Sequence, residues 1–123
     1  MSNVKLSYTT PNRSELSGST TWDEVYSSEK TFELTNETVS IPLTKLPAVN
    51  FILITAVYNE DSDTPTPVKI GQDAPVKLKI GSEEVPVFGK GILGQSAQPA
   101  SLDVISAETR KIKCYVYVSS KAS

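Results

Sequence analysis

Phe51-Ile52-Leu53-Ile54-Thr55-Ala56-Val57-Tyr58 is the one long apolar run in this chain of 123 residues, and the fold turns on how it is read. Eight residues are far too few to cross a bilayer, which takes about 20 in a helix. A short run of this kind, rich in β-branched and aromatic side chains, reads as a central strand apolar on both faces. From Phe51 to the end, stretches rich in Val, Ile and Lys alternate with Gly and Pro. No stretch carries the i, i+3, i+4, i+7 spacing of an amphipathic helix, so the expected fold is all-β.

Working outward, Thr31-Phe-Glu-Leu-Thr35 alternates apolar and polar residues with period two, and Thr38-Val-Ser-Ile-Pro-Leu43 does the same. Together they predict a hairpin that turns near Asn36-Glu37. Lys45 to Asn50 reads as a connector, and Asn59 to Pro67, with its acids and prolines, as an exposed loop. Pro67-Val-Lys-Ile-Gly71 and Pro75-Val-Lys-Leu-Lys-Ile-Gly81 repeat one wording and predict two successive strands, each ended by glycine. Val85-Pro86-Val87-Phe88 suits an edge strand, because proline cannot donate to a ladder. Gly89 to Ala100 reads as a flexible connection, Ser101 to Ile105 alternates, and Ile112-Lys-Cys-Tyr-Val-Tyr-Val-Ser119 is a strong final strand. Roughly eight short strands at this spacing imply a β-sandwich or a small barrel over residues 29–123.

Residues 1–28 differ. Thr9-Thr-Pro-Asn12 and Ser17-Gly-Ser-Thr-Thr21 are loop formers, and the apolar residues among them are scattered anchors. This segment is expected to be an irregular N-terminal arm. Trp22, the only tryptophan, is either a plug over one end of the core or an anchor in a subunit contact, where buried aromatics dominate. Leu6, Tyr8, Trp22 and Tyr26 are the candidate subunit-contact residues.

Composition narrows the function classes. The net charge is −2, from 12 basic and 14 acidic residues, with neither sign gathered into a block. Nucleic-acid binding calls for a cationic surface that displaces counterions, and none is written here. Lys69, Lys77 and Lys79 read as solubilising residues on a solvent-facing strand. The N-terminus lacks the apolar core of a signal peptide, so synthesis in a cytosol is expected. Two sequons, at Asn12 and Asn36, carry little meaning in that setting.

There is no histidine, and Cys114 is the only cysteine, so no Cys-His nucleophile pair exists within the chain. Cys114 is expected to be a buried, inert thiol. Gly89, Gly91 and Gly94 match G-x-G-x-x-G, yet Gln-Ser-Ala-Gln-Pro follows, which opens no helix to hold a pyrophosphate. Glu60, Asp61 and Asp63 form the densest acidic cluster, but a calcium loop needs more ligands at fixed offsets, and prolines follow instead. A solvated acidic loop is the expectation, with no metal, cofactor or catalytic constellation assigned.

The stretch from about Thr38 to Ser120 resembles small structural proteins of tailed bacteriophage particles. The likeness lies in the Thr38-Val-Ser-Ile-Pro-Leu opening, the buried strand Phe51 to Tyr58, the short Val-Lys-Ile-Gly elements and the closing Ile112-Lys-Cys-Tyr-Val-Tyr-Val-Ser-Ser120. It implies a single β-sandwich or jelly-roll-like module, made in the host cytoplasm and located in the virion. Such a module is non-enzymatic, joins a capsid or tail as a decoration, cement or fibre component, and forms homo-oligomers. Its partners are other virion proteins, not nucleic acid or membrane. The alternative is a carbohydrate- or receptor-binding β-sandwich that stacks sugars on Tyr26, Tyr58 or Trp22. An enzyme without histidine ranks last.

Overall fold

The structure is a computed structural model that describes residues 2–10, 13–42, 51–64, 66–94 and 101–121. Its strands are β1 (Ser2–Thr10), β2 (Arg13–Leu34), β3 (Thr38–Pro42), β4 (Phe51–Tyr58), β5 (Pro75–Ile80), β6 (Glu83–Phe88), β7 (Lys90–Gly94), β8 (Ser101–Ile105) and β9 (Ile112–Lys121). There is no helix among the described residues.

The pairing pattern defines the architecture. β2 pairs with β9, β3 with β8, β4 with β7 and β5 with β6, all antiparallel. This is one long hairpin of strands whose midpoint is the turn between β5 and β6. The hairpin is rolled up so that β4 also pairs with β9, and β5 with β8. Two four-stranded sheets result, β2-β9-β4-β7 and β3-β8-β5-β6. That winding is a jelly roll. The strand ladder passes from one sheet to the other through a single residue pair, Phe88 with Lys90, where the chain turns a corner at Gly89 with φ of 76°.

Period-two alternation builds the core. β5 points Val76, Leu78 and Ile80 inward and Pro75, Lys77 and Lys79 outward. Opposite lie Ile52, Ile54 and Ala56 of β4 and Ile112, Cys114, Val116 and Val118 of β9, all buried in the same cluster as Leu102 and Val104 of β8. Fully burying an aliphatic side chain of this size contributes about 1.5–3 kcal/mol. The central position read for Phe51–Tyr58 is where β4 lies, between β9 and β7, although its second face is only partly buried.

Three expectations are corrected. β2 and β3 do not form a hairpin: at Asn36, with φ of 45°, the chain crosses from one sheet to the other. The corner is tied to the β8–β9 connection instead, with Asn36 N donating to Glu108 O at 2.8 Å and Ser106 N to Glu37 O at 2.9 Å. Pro67–Gly71 is not a strand. Val68 forms one isolated bridge to Ser62, and the chain then bends so that Gly71 N donates to Tyr58 O and Tyr58 N to Gln72 O. The segment after Gly89 contains a strand, β7, whose glycines hide its alternation. Gly91 is closely packed there: a Cβ would lie 3.0 Å from Val87 and 3.3 Å from Ile54, so these side chains would have to give way by a few tenths of an ångström. Residues 45–50 and 95–100, read as connections, lie outside the described residues.

The arm is laid out as a two-stranded ribbon. β1 pairs with Arg13–Glu24 of β2, with a register shift between Thr9 and Thr10. Only from Glu24 onward does β2 pair with β9 and enter the sandwich.

Candidate functional site

A single strand of 22 residues carries the chain from ribbon into sandwich. Glu24 sits at the junction, opposite Ser2 on one flank and Lys121 on the other. Its side chain is 9% exposed, and its Oε2 accepts hydrogen bonds from Ser119 Oγ at 2.6 Å and from the Tyr117 hydroxyl. Burial pushes the Glu24 carboxyl up, but the hydroxyls of Ser119, Tyr117 and Ser27 outweigh it and hold the group below its ordinary 4.5. The same contact works in reverse on Tyr117: burial, the bond to Glu24 and the nearby negative charge push its phenol up to about 12. The junction is therefore a charged clasp, closed when Glu24 is ionised and Tyr117 is protonated.

Of the four contact residues read from sequence, three fall on the ribbon. Leu6 is opposite Thr20, Tyr8 opposite Gly18 and Trp22 opposite Val4. Tyr26 is opposite Ser120 of β9 and so belongs to the sandwich sheet. The side chains of these four lie outside the described residues, while Lys5, Ser7, Ser19 and Thr21 of the ribbon are exposed.

A second polar cluster closes the opposite side of the sandwich, and no sequence signal announced it. Arg110 is 8% exposed, and its NH2 donates to both carboxylate oxygens of Glu108, at 2.8 and 2.6 Å. Its NH1 donates to Thr66 O at 2.6 Å, and the guanidinium lies 4.9 Å above the Tyr58 ring. The Tyr58 hydroxyl donates to Glu108 Oε2 at 3.0 Å. Burial, aided by the bond to Glu108 and its charge and opposed by Arg110, holds the Tyr58 phenol above its ordinary 10. Tyr58 is 5% exposed beneath the arginine, so it offers no open ring face for stacking a sugar.

The acidic loop acts as a staple. Asp61 Oδ1 accepts from Ile70 N at 2.8 Å, and Glu60 Oε1 accepts from Lys111 N at 2.8 Å. Among the described residues no group of three or more acids, cysteines or histidines is arranged to hold a metal ion. Cys114 is fully buried, and burial pushes its thiol up to about 12, which leaves it without nucleophilic character at neutral pH.

An open depression of about 790 Å³ lies on the outer face of the β3-β8-β5-β6 sheet, lined by Pro75, Lys77, Pro86, Phe88 and Ile105 among others. Phe88 is 66% exposed there. The surface is apolar and shallow, suited to contact with another molecule rather than to enclosing a small substrate.

No protein-family model, no curated protein and no solved structure matches this chain. No helix among the described residues is long and apolar enough to cross a membrane.

Proposed function

We propose that this chain is a non-enzymatic structural subunit of a virion, a decoration, cement or fibre-type component that joins capsid or tail proteins through its N-terminal ribbon. The observation that carries this reading is the combination of a jelly roll having its own core with a ribbon that leaves it along one 22-residue strand, Arg13–Leu34, whose register shifts between Glu24 and Tyr26. Extended arms and strand edges join subunits by main-chain hydrogen bonding and need no catalytic cleft. The jelly roll also serves capsid and lectin domains alike, so the ribbon favours the assembly reading where the fold alone does not choose.

The disposition of the acids supports the same reading. Glu24, Glu60, Asp61 and Glu108 each accept hydrogen bonds from groups that fasten the fold. The test is to supply the chain, whole or lacking residues 1–22, to assembling particles and to measure its content in purified virions. The proposal expects the whole chain to be retained and the shortened one to be lost. Equal incorporation of both would overturn it.

A further inference from the structure

We propose that the free edge of β1 pairs with the β1 edge of a second copy of this chain, antiparallel about Leu6, joining two ribbons into one four-stranded sheet. The inference rests on reading the ribbon as the assembly element, and it names the partner.

The strand edges of the sandwich are guarded, and the other free flank of the ribbon, residues 13–23 of β2, carries the charged Arg13, Glu15 and Asp23. β3 and β6, the two edges of one sheet, carry the exposed prolines Pro42 and Pro86. β7, at the edge of the other sheet, is only five residues long. The free flank of β2 beyond Glu24 runs through Glu29, Lys30 and Glu33, all exposed. Prolines, charges and brevity are the usual devices against edge-to-edge pairing. β1 carries the fewest of them: nine residues, Ser2–Thr10, without proline and with Lys5 as its one charge, its backbone paired on one flank alone among the described residues. Pro11 comes only after the strand ends.

Two-stranded ribbons are marginal in water, and three or more strands are needed for independent stability. β1 supplies a matching strand itself. A twofold axis at residue 6 sets Val4 opposite Tyr8 and Leu6 opposite Leu6, with Lys5 opposite Ser7, Asn3 opposite Thr9 and Ser2 opposite Thr10. Apolar residues then meet apolar ones and no like charges face each other, the pairing that stabilises antiparallel strands. The contact is isologous, so it closes at two copies.

Disulfide trapping in the full chain tests the register. Directly opposite residues have Cα atoms about 4.5–5.5 Å apart, within disulfide reach. Leu6→Cys is therefore expected to cross-link to itself under mild oxidation. Val4→Cys alone is not, because its two copies would be roughly 14 Å apart along the strand, while an equal mixture of Val4→Cys and Tyr8→Cys chains is expected to link. Buried Cys114 does not compete. In parallel, Leu6→Lys is expected to halve the solution mass and leave the circular dichroism and melting of the sandwich unchanged.

No self-link of Leu6→Cys above the Val4→Cys background, or an unchanged mass for Leu6→Lys, would overturn the pairing. If the pairing fails while removal of residues 1–22 still abolishes incorporation, the assembly reading stands and the partner is a foreign surface. If the pairing succeeds while the shortened chain is incorporated normally, the ribbon's role in joining the particle falls and the dimer remains.

Discussion

β9 and β1 are antiparallel strands of nearly equal length, ten and nine residues, held by opposite means. β9 lies between β2 and β4 and buries Ile112, Cys114, Val116 and Val118. β1 has one neighbour and leaves Lys5 and Ser7 exposed. The first is stabilised by the apolar surface it removes from water, while the second is tied to β2 by main-chain hydrogen bonds, each of which contributes only about 0.5–1.5 kcal/mol net. The sandwich thus carries a core of its own, whereas β1 is fastened through its pairing with β2.

Truncation of a core side chain separates the regions most strongly. Ile112→Ala is expected to cost about 2–5 kcal/mol, because the surrounding sheets relax only partly into the cavity. Urea unfolding followed by circular dichroism would measure it, and a loss near zero would mean that β9 is not part of the core.

Next in size is the Arg110 clamp. Arg110→Ala strips Glu108 and the Thr66 carbonyl of their partner, for an expected loss of about 3 kcal/mol, the low end for a broken buried pair because the Glu108 side chain keeps 21% of its exposure. Thermal melting of Arg110→Ala against Arg110→Lys would show whether the planar fork, rather than charge alone, holds the clamp.

The Glu24 clasp is smaller and depends on pH. Its folded-state carboxyl titrates below the ordinary 4.5, so the stability it adds is fully present above that value and is lost as the pH falls through the folded value. Tyr117 and Cys114 are both raised to about 12, so their contributions are complete below the unfolded values and fade as the pH rises toward 12. Glu24→Gln is expected to cost about 1–2 kcal/mol at neutral pH and to flatten the acid limb of the stability profile. An unchanged acid limb would remove Glu24 from the junction.

Leu6→Ala is expected to have the smallest effect on the sandwich, within about 0.5 kcal/mol, as for a substitution away from the core. A loss comparable to that of Ile112→Ala would erase the distinction between the two regions.

Legibility followed the same divide. Strands that bury one face write that face into the sequence, and the alternation in Pro75–Ile80, Ser101–Ile105 and Ile112–Ser119 placed β5, β8 and the body of β9. β7 stayed hidden because Gly91, closely packed against Val87 and Ile54, has no side chain to mark the alternation. The Asn36-Glu37 signal was read correctly as a turn, but a residue with positive φ suits a crossing between sheets as well as a hairpin. In the ribbon, the Ser, Gly and Thr of residues 17–21 match loop chemistry, so they read as loop although they pair with β1. The Arg110 clamp draws on Tyr58, Thr66 and Glu108, up to 52 positions from the arginine, a separation that no local pattern encodes.

The most direct test of the account is the solution mass of the whole chain beside that of a chain beginning at Asp23, measured by light scattering, with the melting of each. The account predicts a dimer for the whole chain and a folded monomer for the shortened one, its core transition preserved. A monomeric whole chain, or a shortened chain that stays dimeric or fails to fold, would contradict the division between a self-sufficient jelly roll and a ribbon that joins copies.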